Sequence, residues 1–276
     1  ISPDMGGAFG MRGAPTQEHA LVLHAARLLG RPVRWNADRT EAFTSDFHAR
    51  DNHSVVELAL DADGIFLALR IRTTANLGAY LSFHTPHSST NNLGGLAGVY
   101  RTPHIFAEVR GAFTNAQPTA PYRGAGRPEA TFAIERAIDV AAAELGIDRV
   151  ALRQRNLIAR ESLPFRTGLV FTYDSGDFAR GMAMALEAAD WGGFAARRAE
   201  SLARGKRRGI GIANAIEIAG GPARNPLEEG AEIRFDPAGN ATLLVGSHSH
   251  GQGLETAFRQ VVQSALGLPF GRVRVV

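Results

Sequence analysis

The residues of this chain that could bind an anion lie in three glycine-rich loops, at 6–10, 122–129 and 246–253. The central loop reads Tyr-Arg-Gly-Ala-Gly-Arg-Pro-Glu and runs into a predicted helix. Backbone N–H groups at a helix N-terminus lack helical partners and lie at the positive end of the helix dipole, so such a loop can bind an anion. Arg123 and Arg127 flank the glycines and favour an anionic guest. A tight turn with two surface arginines explains the stretch equally well.

The two outer loops have a similar character. Loop 6–10 reads Gly-Gly-Ala-Phe-Gly, and loop 246–253 lies between a predicted strand and an amphipathic helix. His248 and His250 would face the same side of a strand, but without a third ligand nearby we favour hydrogen bonding to a cofactor over metal coordination. Three such loops predict a large anionic cofactor held by backbone amides, and we expect the loops to converge in space.

Composition excludes several classes of protein. The apolar content of 45%, the charged content of 21% and the formal charge of +3 are ordinary for a globular chain, and without a basic block they do not indicate nucleic-acid binding. The lack of cysteine excludes disulfides, thiolate zinc sites and cysteine-ligated iron–sulfur clusters in this chain. Because no apolar run approaches membrane-spanning length, we predict a cytoplasmic protein without a membrane span.

Hydrophobic periodicity predicts an α+β chain. Helices are predicted at 16–29, 129–145, 148–158, 178–189, 194–203 and from loop 246–253 to 266. Strands are predicted at 32–35, 55–60, 65–76, 105–113, 209–218, 231–235, 241–245 and 273–276. The polar segment 78–98, with His84 and His87, is predicted to be a long functional loop. Glu129 and Glu135 are predicted to act as helix-dipole or surface residues, and the Phe9 side chain is predicted to lie in the core.

The order of the three loop motifs resembles the molybdenum hydroxylases, the group of xanthine dehydrogenase, aldehyde oxidase and aerobic carbon monoxide dehydrogenase. Asp-Ser-Gly at 174–176 and Arg-Gln-Arg-Asn-Leu at 153–157 also fit the large subunits of bacterial members. The resemblance covers essentially the whole chain. It implies a two-part molybdopterin-binding domain with mixed sheets and βα units, with a first half at 1–190 and the start of a second half at 191–276. We therefore expect the chain to be part of a longer polypeptide.

The resemblance also implies a set of site residues. Those at 7–10 would lie beside the metal's ligands, Arg123 would be the catalytic residue of the active-site loop, and those at 250–253 would hold the pterin, its phosphate or its dinucleotide tail. No side chain of this chain would ligate the metal, and the general-base glutamate would lie beyond Val276. The cofactor-binding residues implied are Gly7, Ala8, Phe9, Gly10, Arg123, Gly124, His250, Gly251, Gln252 and Gly253.

The activity implied is hydroxylation of an aldehyde or an N-heterocycle with oxygen derived from water. The cofactor would be molybdopterin with molybdenum, the cytosine dinucleotide form being one option. FAD and [2Fe–2S] clusters would be carried by a flavin-binding medium subunit and an iron–sulfur small subunit, which agrees with the lack of cysteine here. The 276-residue chain by itself is expected to be inactive.

Three departures from the family pattern bear on the substrate. Carbon-monoxide-oxidising members have a copper-bearing cysteine directly after the loop arginine, where this chain has Gly124. Xanthine-type members have a substrate-orienting glutamate where this chain has Gly13. They also have a substrate arginine in the segment before Tyr100, which is replaced in this chain near Asn91. Neither well-known substrate is supported. A carbon monoxide dehydrogenase large-chain homologue, a non-catalytic anion-binding module and a subunit-contact module remain alternatives.

Overall fold

The chain forms two units in the computed structural model, which describes residues 5–13, 15–90, 93–218 and 228–276. The large unit is Ala14–Glu217, and the small unit combines Ile1–Gly13 with Ile218–Val276. The helices of the large unit are α1 (Gln17–Leu29), α2 (Arg39–Ser45), α3 (His87–Thr90), α4 (Arg127–Leu145), α5 (Arg149–Asn156), α6 (Phe178–Ala188) and α7 (Phe194–Ala203). Its strands are β1 (Asn52–Leu60), β2 (Phe66–Gly78), β3 (His104–Phe113), β4 (Phe165–Arg166) and β5 (Thr172–Tyr173).

A mixed three-stranded sheet is the centre of the large unit. Strands β1 and β2 pair antiparallel, and β3 then pairs parallel with the other edge of β2. Asp61 closes the β1–β2 hairpin because its Oδ1 accepts hydrogen bonds from the Asp63 and Ile65 amides at 3.0 and 2.8 Å. Helix α4 packs on this sheet, and Ile134 and Ile138 are fully buried in the same cluster as the β2 side chains.

A buried charged network joins α4 to α5. Arg153 is completely buried, and its guanidinium donates to Glu135 Oε2 at 2.8 Å, to Asp139 Oδ1 at 2.9 Å and to the Glu135 carbonyl at 3.1 Å. The Tyr100 hydroxyl donates to Glu135 Oε1 at 2.6 Å and accepts from Asn214 Nδ2 at 3.0 Å. Burial, together with the charge of Glu135, raises the pKa of Tyr100, so this hydroxyl keeps its proton.

The small unit repeats the sheet pattern on a smaller scale. Its elements are β6 (Ala231–Phe235), β7 (Ala241–Val245), α8 (Leu254–Leu266) and β8 (Val273–Val275). Strand β6 pairs antiparallel with β7, and α8 is the crossover to the parallel strand β8. Leu243, Val262 and Val273 form its buried centre. Loop 246–253 therefore follows the carboxyl end of β7 and precedes the N-terminus of α8.

The α+β fold with mixed sheets and a βα crossover is confirmed, and the predicted helices form within a few residues of their expected bounds. Gly30 and Gly146 end α1 and α4 in the left-handed conformation. Asp148 caps α5 by accepting from the Val150 and Ala151 amides. Among the described residues, no helix is both long and apolar enough to cross a bilayer.

Two predicted strands are wrong. Residues 32–35 pair with no strand among the described residues, since Pro32 lacks an N–H group and the Trp35 indole instead donates to Glu41 Oε1 at 3.2 Å. Residues 209–218 are extended, but Ile212 and Ile216 pack against the large-unit core instead of joining a sheet. The alternating apolar residues of this segment contact the core through their side chains and are not part of a strand ladder.

Two further predictions need correction. Segment 78–98 is not a continuous irregular loop, because it contains α3 and a 3₁₀ helix, Leu93–Ala97, whose residues from Gly94 onward are buried. Asn91, near which the substrate arginine was expected, lies outside the described residues. Glu135 is not at the surface: it is the buried partner of Arg153 and Tyr100.

Replacing Arg153 by Met should lower the free energy of unfolding by about 3–5 kcal/mol, because the Glu135 carboxylate would stay buried without its counter-charge. Arg149→Met is the matched control on the same helix: Arg149 is exposed and lies 4.0 Å from Asp139, so its loss should cost less than about 0.5 kcal/mol. Urea denaturation of both variants checks this. Equal decreases in the free energy of unfolding for the two variants would show that the buried network stabilises the fold no more than the exposed ion pair does.

Tyr173 gives a prediction for alkaline pH. Burial raises its pKa to about 12, and its hydroxyl donates to the Gly98 carbonyl at 2.7 Å. Because the folded-state pKa lies above the ordinary tyrosine pKa of about 10, the stabilisation is complete below about pH 10 and is lost as the pH rises towards the folded-state pKa. The wild type should therefore lose about 1 kcal/mol more than Tyr173→Phe between roughly pH 9 and pH 11 in urea denaturation. Parallel pH profiles would contradict the prediction.

Candidate functional site

The central loop folds through three successive residues with positive φ. Gly124, Ala125 and Gly126 have φ of 92°, 43° and 102°. The turn closes through the Ala125 amide, which donates to the Tyr122 carbonyl at 2.7 Å, and the Arg127 amide, which donates to the Gly124 carbonyl at 2.9 Å. A Cβ at position 124 would lie 2.6 Å from the Pro128 ring, so only glycine fits there.

Arg50 holds this loop from outside. Its Nη2 donates to the Tyr122 carbonyl at 3.0 Å and also to the Arg123 carbonyl. Its Nε lies 3.2 Å from Glu129 Oε2, and its guanidinium lies 5.5 Å from the centre of the Tyr122 ring. Glu129 is in the first turn of α4, where the helix dipole favours a negative charge. Loop and helix start are thus tied to one cation on the segment before β1.

The two loop arginines have different surroundings. Arg127 Nε lies 2.7 Å from Glu217 Oε1, so its charge is partly neutralised by the extended segment 209–218. The Arg123 side chain is exposed. Within the described part of the large unit, Arg123 is therefore the loop cation that is available to an anion or a carbonyl group.

Segment 78–98 carries three neighbouring rings, and the charge of Arg127 acts on one of them, His87. The rings of Phe83 and His84 are 4.3 Å apart, and those of His84 and His87 are 6.3 Å apart, both edge to face. Burial lowers the pKa of His87, and the charges of His84 and Arg127 lower it further. His87 is therefore biased towards neutral imidazole, which can accept as well as donate a hydrogen bond.

Loop 6–10 lies in the small unit. Gly7, Phe9 and Gly10 have φ of 99°, 52° and 100°, and the Phe9 ring folds back over Gly7, where a Cβ would lie 2.3 Å from Phe9 Cε2. The prediction that Phe9 is a core side chain is wrong, because the residue is 48% exposed. Glycine is favoured at position 7 because other residues rarely adopt a φ of 99°.

Loop 246–253 lies beside loop 6–10. The Met5 carbonyl oxygen is 3.9 Å from where a Cβ of Gly251 would be, so the two segments pass in ordinary contact. The His250 amide donates to Gln252 Oε1, and the rings of His248 and His250 are 5.1 Å apart. Gly253, with φ of 72°, is the N-cap of α8. Loops 6–10 and 246–253 therefore adjoin within the small unit.

The donor set of the small unit fits a pterin or a phosphate. It consists of backbone amides at the start of α8, the Gln252 amide and two imidazoles. In the part of the chain that the structure describes, a Cβ placed at Gly246 or Gly253 would meet nothing within 4 Å. Among the described residues, no group of three or more His, Cys, Asp or Glu could hold a metal ion. The central loop belongs to the large unit, so convergence of all three loops stays a prediction.

Sequence reasoning missed Arg50 and Glu217. Neither residue lies within a glycine-rich motif, and each reaches the central loop from a distant part of the chain. The only local signal at Arg50 is a charged pair, Arg50-Asp51, just before a predicted strand. Such a pair is common, so periodicity and motif spacing could not identify the contact.

The chain matches two family models, each described as a molybdopterin cofactor-binding domain, over residues 1–157 and 184–276. It belongs to this family, and the resemblance to the large subunits of the molybdenum hydroxylases is confirmed.

Particular relatives support the assignment. The gamma subunit of the 6-hydroxypseudooxynicotine dehydrogenase complex of Paenarthrobacter nicotinovorans is 36% identical over 99% of this chain and 34% of its own length. The carbon monoxide dehydrogenase large chain of Hydrogenophaga pseudoflava is 34% identical over 100% of this chain and 36% of its own length. The quinoline 2-oxidoreductase structure from Pseudomonas putida 86 superposes with a TM-score of 0.86 at 35% identity, covering 99% of this chain and 36% of that one. The chain thus spans about a third of the length of these relatives.

Gly124→Ala should lower the free energy of unfolding by about 2–3 kcal/mol, because it combines a positive φ with a clash against Pro128. Gly146→Ala is the matched control, since Gly146 has φ of 64° but no atom within 4 Å of an added Cβ; it should cost about 1 kcal/mol. Urea denaturation measures both. If Gly124→Ala lowers the free energy of unfolding no more than Gly146→Ala does, the Pro128 ring moves to accommodate the added Cβ and the clash has no cost.

Proposed function

We propose that this chain forms part of the large subunit of a molybdenum hydroxylase that oxidises an N-heterocycle or an aldehyde. The observation that carries the proposal is the adjacency of loops 6–10 and 246–253 at the N-terminus of α8, within a chain of the molybdopterin-binding family. Open space and backbone donors meet there, as binding of a pterin with its phosphate requires.

The chain's own residues have three roles in this proposal. Residues Gly7 to Gly10 let the backbone approach the metal's ligands closely, because Gly7 and Gly10 carry no side chain and turn the chain with positive φ. Residues His250 to Gly253 bind the pterin or phosphate through amides and the Gln252 side chain. In the large unit, Arg123 is the catalytic residue, and its exposed guanidinium orients and polarises the substrate, with Gly124 shaping the loop.

When bound, the molybdenum cofactor supplies the activated water oxygen and accepts the two electrons of the oxidation. The protein orients the substrate and supplies hydrogen bonds, and the proton acceptor is proposed to be a glutamate outside this chain. We also propose the cytosine dinucleotide form of molybdopterin, a cytoplasmic location, and partner subunits that carry FAD and [2Fe–2S] clusters. The existence of partner subunits is supported by relatives that are named as a subunit of a complex or as a large chain.

An N-heterocycle is the preferred substrate class. Relatives are named for quinoline and nicotine oxidation, although others are named for carbon monoxide. A thiolate is the ligand that anchors copper(I), and Gly124 offers none. The exposed Phe83 ring and the imidazoles beside Arg127 would favour a flat aromatic substrate by edge-to-face contact.

To test the function, the full-length protein is purified with its co-purifying subunits from a host that makes molybdopterin. Molybdenum and pterin are quantified, and dye reduction is assayed with N-heterocycles and aldehydes. We expect both cofactor components near one per large chain, with turnover of at least one substrate class. Stoichiometric cofactor without turnover of any substrate would favour a non-catalytic cofactor-binding module.

The same preparation tests the copper prediction. Copper addition or removal by a copper(I) chelator should leave the activity unchanged within about twofold, and carbon monoxide should give no dye reduction, because no cysteine follows Arg123. Copper-dependent oxidation of carbon monoxide would refute this.

A further inference from the structure

Arg50 and Glu129 lie together behind the central loop and have no role in the activity described so far. We propose that they form a clamp that positions the backbone of residues 122–126, and with it the Arg123 guanidinium, for the reaction. This inference rests on the proposed function for its catalytic consequence. Its structural part, that the clamp holds the loop, stands on the geometry alone.

The loop needs an external support because its backbone is strained. Ala125 has φ of 43° between two glycines with positive φ, and two amide hydrogen bonds within the loop close the turn. A backbone in sparsely populated conformations persists where its surroundings over-determine it. Arg50 provides this by donating to the Tyr122 and Arg123 carbonyls from the same nitrogen.

Glu129 fixes the guanidinium in turn. The Arg50 and Glu129 side chains are 29% and 16% exposed, and the facing atoms Nε and Oε2 lie 3.2 Å apart, shielded from solvent. Neither atom has a hydrogen-bond partner among the described residues, so the attraction of the two charges holds the guanidinium on this side. The arginine therefore has one carboxylate at its Nε edge and two carbonyls at Nη2. A lysine cannot reproduce this, since its ammonium is a single point donor without the planar fork.

The clamp acts on Arg123 through the main chain. Arg50 holds the carbonyl of Arg123, whereas the Arg123 side chain is exposed and is not itself held by the clamp. Fixing the main chain restricts where the guanidinium can reach. Arg50 and Glu129 are thus positioning residues, and misplacement of a substrate-binding group by about 1 Å is enough to cost about 100-fold in rate.

The test compares Arg50→Gln, Arg50→Lys and Glu129→Gln with wild type in the full-length, cofactor-loaded protein. Arg70→Gln is the matched control, because Arg70 makes an exposed ion pair with Glu57 on the sheet, away from the loop. Hydrogen exchange is followed in the peptide that covers 122–130. Molybdenum content, melting temperature, kcat and KM are measured for each protein.

We expect faster exchange in 122–130 for Arg50→Gln and Glu129→Gln, unchanged exchange elsewhere, and a kcat about 10- to 100-fold lower with KM changed less than about threefold at equal molybdenum content. Compared with Arg50→Gln, Arg50→Lys should restore part of the protection from exchange. It should restore less than half of the decrease in log kcat. Arg70→Gln should match wild type.

The outcomes separate this inference from the proposed function. Unchanged exchange in 122–130 would overturn the clamp whatever the activity. Faster exchange with wild-type kcat, or losses of kcat that follow only the melting temperature and molybdenum content, would overturn its positioning role. Faster exchange in a protein whose wild type binds no molybdenum would support the clamp as a loop support and refute the proposed function instead.

Discussion

Burial of the Arg153 charge is the constraint on which the large unit depends. A guanidinium removed from water must find partners in every direction, and here Glu135, Asp139 and main-chain carbonyls supply them. Glu135 and Asp139 lie one turn apart on α4 and Arg153 lies on α5, so their hydrogen bonds favour one register between the two helices. Tyr100 and Asn214 extend the same network to the extended segment 209–218. Because the central loop leads directly into α4, its position is set by a charge buried well away from it.

Both units place a loop where a strand ends in a mixed sheet. An antiparallel hairpin is followed by a crossover and a parallel third strand in each unit. The crossover contains the long helix α8 in the small unit, and α3 and a short 3₁₀ helix in the large unit. A parallel connection must leave one end of the sheet and return to the other, so its first residues emerge beyond the carboxyl end of a strand. Loop 246–253 occupies this position, and polar residues there can bind ligand without interrupting the ladder.

Local signals predicted much of this fold, and their limits have physical causes. Glycine stops, an aspartate cap and helical spacing located α4 and α5 because these features act within a few residues. Apolar alternation at 209–218 was misleading, since a segment that packs on a core shows the same pattern as a strand. The glycine motifs located the candidate loops, but the Arg50 and Glu217 contacts depend on tertiary structure and have no local pattern. The role of Glu135 was missed for the same reason, because burial of a carboxylate depends on its partner.

The small unit is discontinuous in sequence, because its first segment, Ile1–Gly13, precedes the large unit and its second segment, Ile218–Val276, follows it. Synthesis on the ribosome therefore makes loop 6–10 long before the strands and helix beside which it lies. During that interval the large unit can fold as its own residues emerge. Loop 6–10, in contrast, lacks the rest of the small unit until residues 218–276 are made. Assembly of the region around loop 246–253 is consequently a late event in the biogenesis of the chain.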